Sequence, residues 1–349
     1  MAKKGSRLIK TLVSLAIAAV FLGLIVRQLD WRELWGILQG SRTELVLPIL
    51  VLLFVHYALK GLRWRALLAE EVQVPRLLAM RLVFVGFLMN NFLPARAGEL
   101  GRPYLLAANQ PGVRFSFALA TMLGVKLFDL LFVVICLLIS ALVLDLPSFA
   151  HTGIIILSGA CLVVLVTGVM AARWVEKDRK AGGRGRLYSL LERALGDRAP
   201  KAHDVAQHFA AGLATMSRPR AFLLASAYTA VSFALLAVAL VLCMRVVQIP
   251  GTLTDAVFVM GMIGIGFMIP APPTAAGNYH WFASQALILA AVAEPDAAFA
   301  FALVAHITQV VANSAGGVVS LVGLDWKKPS EDEVAVRPGE AGASDEVSP

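Results

Sequence analysis

The sequence predicts an all-α polytopic membrane protein, a bundle of about 6 to 8 transmembrane helices with two broken or re-entrant helical hairpins arranged as an inverted repeat. Three observations carry that expectation. Of 349 residues, 58% are hydrophobic and only 15% charged, far more apolar than a soluble domain. The apolar residues gather into runs of membrane-spanning length. The Lys and Arg behind the net charge of +8 collect in short segments between those runs, as they do in loops on the cytoplasmic side of a membrane. That placement argues for membrane lipids and against nucleic acid as the partner.

Residues 8–26 read as the first span, entered from the basic start MAKKGSRLIK. The run is long and lacks a small-residue cleavage site, so it is expected to remain as a span rather than leave as a signal peptide. The segment RQLDWRELWGILQGSR then spaces Leu29, Leu34, Ile37 and Leu38 around Trp31 and Trp35, a pattern for a helix in the far membrane interface or, failing that, a polar loop. The second span, 44–62, returns to Lys60, Arg63, Arg65 and Arg76, a segment that reads as cytoplasmic by the positive-inside rule. Residues 77–93 and 115–144 are the next apolar runs, followed by a loop at 145–152 without Lys or Arg, and then by 153–172. Eleven Lys and Arg between Arg173 and Arg220 mark a second cytoplasmic segment.

Parity singles out one run. The chain must cross an odd number of times between the basic segment near Arg65 and the external loop near Asp145, yet two apolar runs lie there. The run that ends in LMNNFLPARAGELGR is broken by Pro94, Gly98 and Gly101, so it is expected to fold back as a hairpin through residues 99–108. In the second half, 219–241 spans outward, and 253–269, 281–292 and 299–324 follow. Three crossings or one crossing plus a hairpin both satisfy parity. The break PAPPTAAGNYH and the shortness of 281–292 favour the hairpin. The two breaks share little more than a Pro followed by a Gly four residues on, Pro94 with Gly98 and Pro273 with Gly277, and the hairpins would open to opposite faces.

The chain thus divides into one integral membrane domain, 1–326, with its cytoplasmic basic segment at 173–220, and an acidic cytoplasmic tail at 327–349 that is too poor in apolar residues to fold. RLYSLLERAL, within 184–216, reads as an amphipathic helix on anionic head groups or as a linker helix packed on the bundle. The whole is expected to sit in the inner (cytoplasmic) membrane as a multi-pass protein with both termini cytoplasmic.

Candidate chemistry lies at the breaks, because ionisable groups and freed backbone at membrane depth are costly unless protein or a water-filled cavity surrounds them. At the first break Asn90, Asn91, Pro94, Arg96, Gly98, Glu99 and Arg102 fall within about one helical span. If the return arm is helical from residue 97, its N-terminus and Arg96 form a receptor for phosphate or carboxylate, with Glu99 and Arg102 on one face. An internal salt-bridge cluster that only holds the hairpin is the competing reading. Lys126 and Asp129, three apart, are either cavity groups or a mutually neutralising pair. Pro273, Gly277, Asn278 and His280 mark the second break, and His306, Gln309 and Asn313 make a polar stripe suited first to interhelical hydrogen bonds. The three cysteines, Cys136, Cys161 and Cys243, lie in apolar runs with neither disulfide nor zinc spacing. No phosphate-binding glycine loop, metalloprotease helix motif or nucleophile elbow is present, so neither enzyme nor cofactor is expected.

NNFLPARAGELGR, VKLFDLL, PAPPTAAGNYH and AHITQVVANSAGG together resemble the flippase-like membrane domain of the lysylphosphatidylglycerol synthase transmembrane family, from the first span to residue 324. The resemblance implies an inner-membrane helical bundle with broken helices that moves or binds lipids. It carries over to Asn91, Pro94, Arg96, Gly98, Glu99, Arg102 and Asp129. The sequence departs from it at Lys126-Leu127, where Glu-Arg is frequent, at His280, where a Glu is common, and at His306, where an Arg is frequent. The synthases' soluble aminoacyl-transferase domain is absent from this sequence. The expected function is flippase-like movement of an anionic phospho- or polyprenyl-linked lipid. The alternatives are a non-catalytic accessory protein docked to envelope-biosynthesis enzymes and an intramembrane transferase.

Overall fold

The computed structural model describes residues 31–69, 71–93, 96–180, 218–269 and 273–326, with Ser189, Arg193 and Gly196. The 8–26 run, Pro94, nearly all of 184–216 and the 327–349 tail lie outside the described residues. Regular structure among the described residues is helical throughout: α1 (Trp31–Gln39), α2 (Val46–Leu68), α3 (Arg76–Phe92), α4 (Gly98–Asn109), α5 (Phe115–Val143), α6 (Ser148–Lys180), α7 (Pro219–Val246), α8 (Leu253–Gly266), α9 (Ala276–Leu289) and α10 (Pro295–Leu321). The protein is a multi-pass, all-α membrane protein, as the composition predicts.

Among the described residues five helices are long and apolar enough to cross a membrane: α2 with its short 3₁₀ lead, α5, the Ser148–Met170 part of α6, α7 and α10. The others are too short. At 1.5 Å per residue α3 rises about 26 Å, α4 about 18 Å, and α8 and α9 about 21 Å each, against about 30 Å of hydrocarbon. They pair as two hairpins. At the base of α3 and α4, Gln110 Nε2 donates to Gln73 O at 3.4 Å, so the first hairpin leaves by the face it entered. Asn109 Nδ2 donates to Asp325 O at 2.8 Å, and Arg218 pairs with Glu71 at 2.7 Å, which puts the end of α10 and the start of α7 on that same face.

The opposite face is fixed by Arg42 N donating to Val246 O at 2.9 Å and Gln248 Nε2 to Gly40 O at 2.9 Å. The chain enters α8 there, under a capping box in which Asp255 accepts from Thr252 N at 2.7 Å. α8 ends at Gly266 and α9 starts at Ala276, and the chain leaves by the same face through α9 into α10, with Pro295 in the first turn of α10. Residues 253–292 therefore make the hairpin rather than two crossings.

Long helix, hairpin, long helix occurs twice, in α2 to α5 and in α7 to α10. The closing helix of each half packs on the first hairpin arm of the other, α5 on α8 and α10 on α3, while α2 lies along α7. Glycines bring these contacts close: Gly261 and Gly264 face Leu137 and Val133, and Gly316 and Gly317 face Phe84 and Leu88. α6 packs on α5, and its outer residues Val163, Val164 and Met170 are exposed, as suits a helix bathed in lipid. α1, in the segment read as interfacial, rests on α10 with Trp35 exposed.

One boundary differs from the sequence reading. The second span was expected to end at 62, ahead of a basic cytoplasmic loop, yet α2 continues unbroken to Leu68. Lys60 and Arg63 consequently lie inside the bundle, and Arg63 is 1% exposed. A carboxylate on a distant helix makes this tolerable, as described next.

Candidate functional site

The first break is built where α3 ends at Phe92 and the backbone turns through Arg96, whose φ of +53° is a left-handed conformation rare for a side chain of this size. Gly98 opens α4 so close to α3 that a Cβ would strike the Gly86 carbonyl, and Gly86 in turn receives the stem of Arg102. Asn90 Oδ1 accepts from Gly98 N at 2.9 Å, and Ala97 O accepts from Leu100 N at 3.1 Å and Gly101 N at 2.9 Å. The hairpin itself thus takes two of the N–H groups of the α4 N-terminus that the sequence reading offered to an anion, those of Gly98 and Leu100.

The charged residues pair differently from the sequence expectation. Lys126 and Asp129 do not neutralise each other. Lys126 Nζ donates to Glu99 Oε1 at 2.5 Å, and Asp129 Oδ1 accepts from Arg63 Nη1 at 2.7 Å, with Lys60 Nζ 3.9 Å away. Arg96 Nε shares the same Glu99 oxygen at 3.3 Å. Arg102, expected beside Glu99, instead stacks its guanidinium 4.3 Å from the Phe87 ring centre and leaves Nε buried without a hydrogen-bond partner. Spacing of three on a helix allowed these local pairs, and partners from other helices displaced them.

The second break has no charge. Thr274 and Ala275 sit at φ +62° and +57°, and Asn278 Nδ2 donates to the carbonyls of Gly266 at 3.2 Å and Ile269 at 3.4 Å, tying the tip to α8. His306 Nε2 lies 3.0 Å from Thr274 O and must donate to it. Neutral His306 then accepts at Nδ1 from His280 Nε2, 3.1 Å away, so His280 Nδ1 is a buried lone pair with no partner. Gln309 donates to the Tyr279 hydroxyl, while Asn313 accepts from Asn91 at 2.6 Å and donates to Tyr57 at 3.3 Å. The polar stripe of α10 makes the interhelical hydrogen bonds its spacing suggests.

The two tips meet. Arg96 Nη1 donates to Phe267 O at 3.0 Å, and its guanidinium carbon lies 5.0 Å from the Phe267 ring centre. Around this junction is a cavity of about 750 Å³. Lys60, Arg96, Lys126 and Asp129 form its charged wall; Asn90, Asn91, Thr274, His306, Gln309 and Asn313 form a polar one; α5, α7 and α8 supply an apolar remainder. Of the residues singled out from the sequence, Asn90, Asn91, Arg96, Lys126, Asp129, His306, Gln309 and Asn313 line it. Gly98, Glu99, Arg102, Pro273, Gly277, Asn278 and His280 stand behind the wall, and Pro94 is outside the described residues.

The sequence reading missed His56, Tyr57, Lys60 and Arg63. His56 Nδ1 donates to Ser232 O at 2.7 Å and fixes α2 to α7, while Lys60 reaches the cavity. Their spacing of three and four along one helix was the available signal, but the positive-inside rule had assigned the last two to a loop. Among the described residues no group of His, Cys, Asp and Glu could hold a metal ion.

The chain matches the lysylphosphatidylglycerol synthase TM region over residues 11–317 and belongs to that family. Membership ties it to membrane lipid biosynthesis or transport. Neither a curated protein nor a solved structure gives a significant match. Two positions at which the sequence departs from the family resemblance, His280 and His306, are the pair in hydrogen-bonding contact at the second tip.

Proposed function

We propose that this protein is a flippase-like carrier that binds an anionic lipid head group in the cavity between its two hairpin tips and moves it across the inner membrane. The observation that carries the reading is the meeting of two oppositely entered hairpins at a cavity lined by three cations, Lys60, Arg96 and Lys126, one carboxylate, Asp129, and neutral polar groups. Broken helices that meet near the midplane from opposite faces let a fixed site be reached from either side by rocking one half against the other. Arg96 is central, since it closes the junction through Phe267 O and carries charge toward the cavity. An anion that competes for Arg96 would open the tip contact, coupling occupancy to access.

The chemistry needs no catalyst, because the cavity binds and releases without making or breaking bonds. Membrane lipids are the partners in this reading, and the basic 173–220 segment faces the cytoplasm with both termini. The test is head-group movement in reconstituted vesicles, followed with a short-chain fluorescent anionic phospholipid and a membrane-impermeant quencher. Wild type should move the probe at least about tenfold faster than Arg96→Ala, a loss of roughly 1.4 kcal/mol. Equal rates for the two proteins, with both correctly folded, would overturn the carrier reading.

A further inference from the structure

The charges around the cavity do not balance. Lys60, Arg63, Arg96, Arg102 and Lys126 are coupled to only two carboxylates, Glu99 and Asp129, which leaves a surplus of three positive charges among the described residues. Asp129 is engaged by Arg63, and one Glu99 oxygen is shared by Lys126 and Arg96. Lys60 is left over. Its ammonium makes no hydrogen bond, only the 3.9 Å approach to Asp129, and it stands 5.2 Å from the Phe233 ring centre and 5.9 Å from that of Phe87. An uncompensated buried charge costs several kcal/mol, so a surplus of this size at membrane depth calls for counter-charge from the ligand.

A phosphodiester brings one negative charge, and a terminal phosphate brings close to two or more. The donors are also of the right kind, because compact ammonium groups act as point charges and demand little geometry, whereas the directional N–H donors of Gly98 and Leu100 at the α4 start are already used. The rest of the cavity fits a hydrocarbon chain. Leu123 and Leu127 of α5 lead to Val164 and Gly168 of α6, and Val164 is 60% exposed, so the cavity opens sideways toward lipid at that helix.

We propose that the ligand's head is a terminal phosphate, a phosphomonoester or diphosphate on a hydrocarbon chain, anchored by the Lys60 ammonium together with Lys126, in preference to a phosphodiester lipid. The assignment rests on the anionic-lipid reading above and narrows it. The chain could be that of a diacylglycerol or of an isoprenoid, which have the same terminal phosphate.

Native mass spectrometry of the full-length protein, titrated with dioleoyl phosphatidic acid, an isoprenyl phosphate or dioleoyl phosphatidylglycerol, tests it. One or both phosphate monoesters should bind at least about tenfold more tightly than phosphatidylglycerol, and whichever monoester does so identifies the chain. Lys60→Gln should reduce that preference to about threefold or less, and Glu99→Gln, which raises the surplus, should widen it. A Lys60-dependent affinity that is equal for all three lipids would overturn the terminal phosphate and leave the anionic-lipid carrier standing. Binding of every lipid unchanged in both Lys60→Gln and Arg96→Ala would overturn both.

Discussion

The two hairpins are the same device with opposite electrostatics. The first, α3 and α4, carries Arg96, Glu99 and Arg102 and meets Lys126 of α5; the second, α8 and α9, is closed by carbonyls, an amide and two histidines. Both hold non-glycine residues in left-handed backbone, Arg96 in one and Thr274 with Ala275 in the other. Each such residue costs on the order of 1–3 kcal/mol and persists only where its surroundings enforce it. In the first hairpin enforcement comes from ion pairs and in the second from neutral hydrogen bonds. A break at membrane depth thus needs polar satisfaction of some kind, which ion pairs supply in one hairpin and neutral hydrogen bonds in the other.

The largest expected effect would break that comparison at its charged side. Arg63→Leu leaves Asp129 buried opposite only the distant Lys60 and should cost about 3–5 kcal/mol, whereas Arg63→Leu with Asp129→Leu should recover most of the loss. Unfolding of the three proteins in mixed micelles measures it; equal losses for single and double variants would show that Arg63 and Asp129 do not stabilise the fold as a pair. Gly98→Ala comes next, at about 1–3 kcal/mol, since the new methyl group meets the Gly86 carbonyl and must force the two arms apart. A melt unchanged from wild type would show that the arms have room.

At the neutral hairpin the effects should be smaller. His306→Phe removes the donor to Thr274 O and should cost about 1 kcal/mol in stability while raising hydrogen exchange at residues 274–276. Asn313→Leu, which unties α10 from Asn91 and Tyr57, should cost about 0.6–1.7 kcal/mol, the range of hydrogen bonds between membrane helices. If His306→Phe proved as damaging as Arg63→Leu, the contrast between charged and neutral enforcement would fail.

The breaks themselves were legible because a bilayer is an unforgiving solvent. Apolar runs of about 20 residues are the rule, so Pro and Gly flanked by Asn, Arg and Glu stand out without any knowledge of packing. Counting Lys and Arg on each side then required the first run to fold back. Lys60 and Arg63 escaped notice for the same reason that the counting works: a basic residue near a span's end is normally in water, and the Asp129 carboxylate that brings Arg63 inside lies 66 residues away. His280 and His306 were each visible, but their contact was not, because it joins α9 to α10 across a loop.

By itself, then, the sequence determined the solvent of this protein, the number of apolar runs, the positions of the two breaks and the residues that could be charged within them. Those follow from local rules: the thickness of hydrocarbon, the rise of a helix and the absence of a backbone donor in proline. Only the tertiary structure decided which cation meets which carboxylate, that the two tips touch through Arg96 and Phe267 O, and that more positive than negative charge remains around the cavity. The reason is Coulombic. In a low dielectric each charge takes the partner that the bundle brings nearest in space, and helices far apart in sequence bring it.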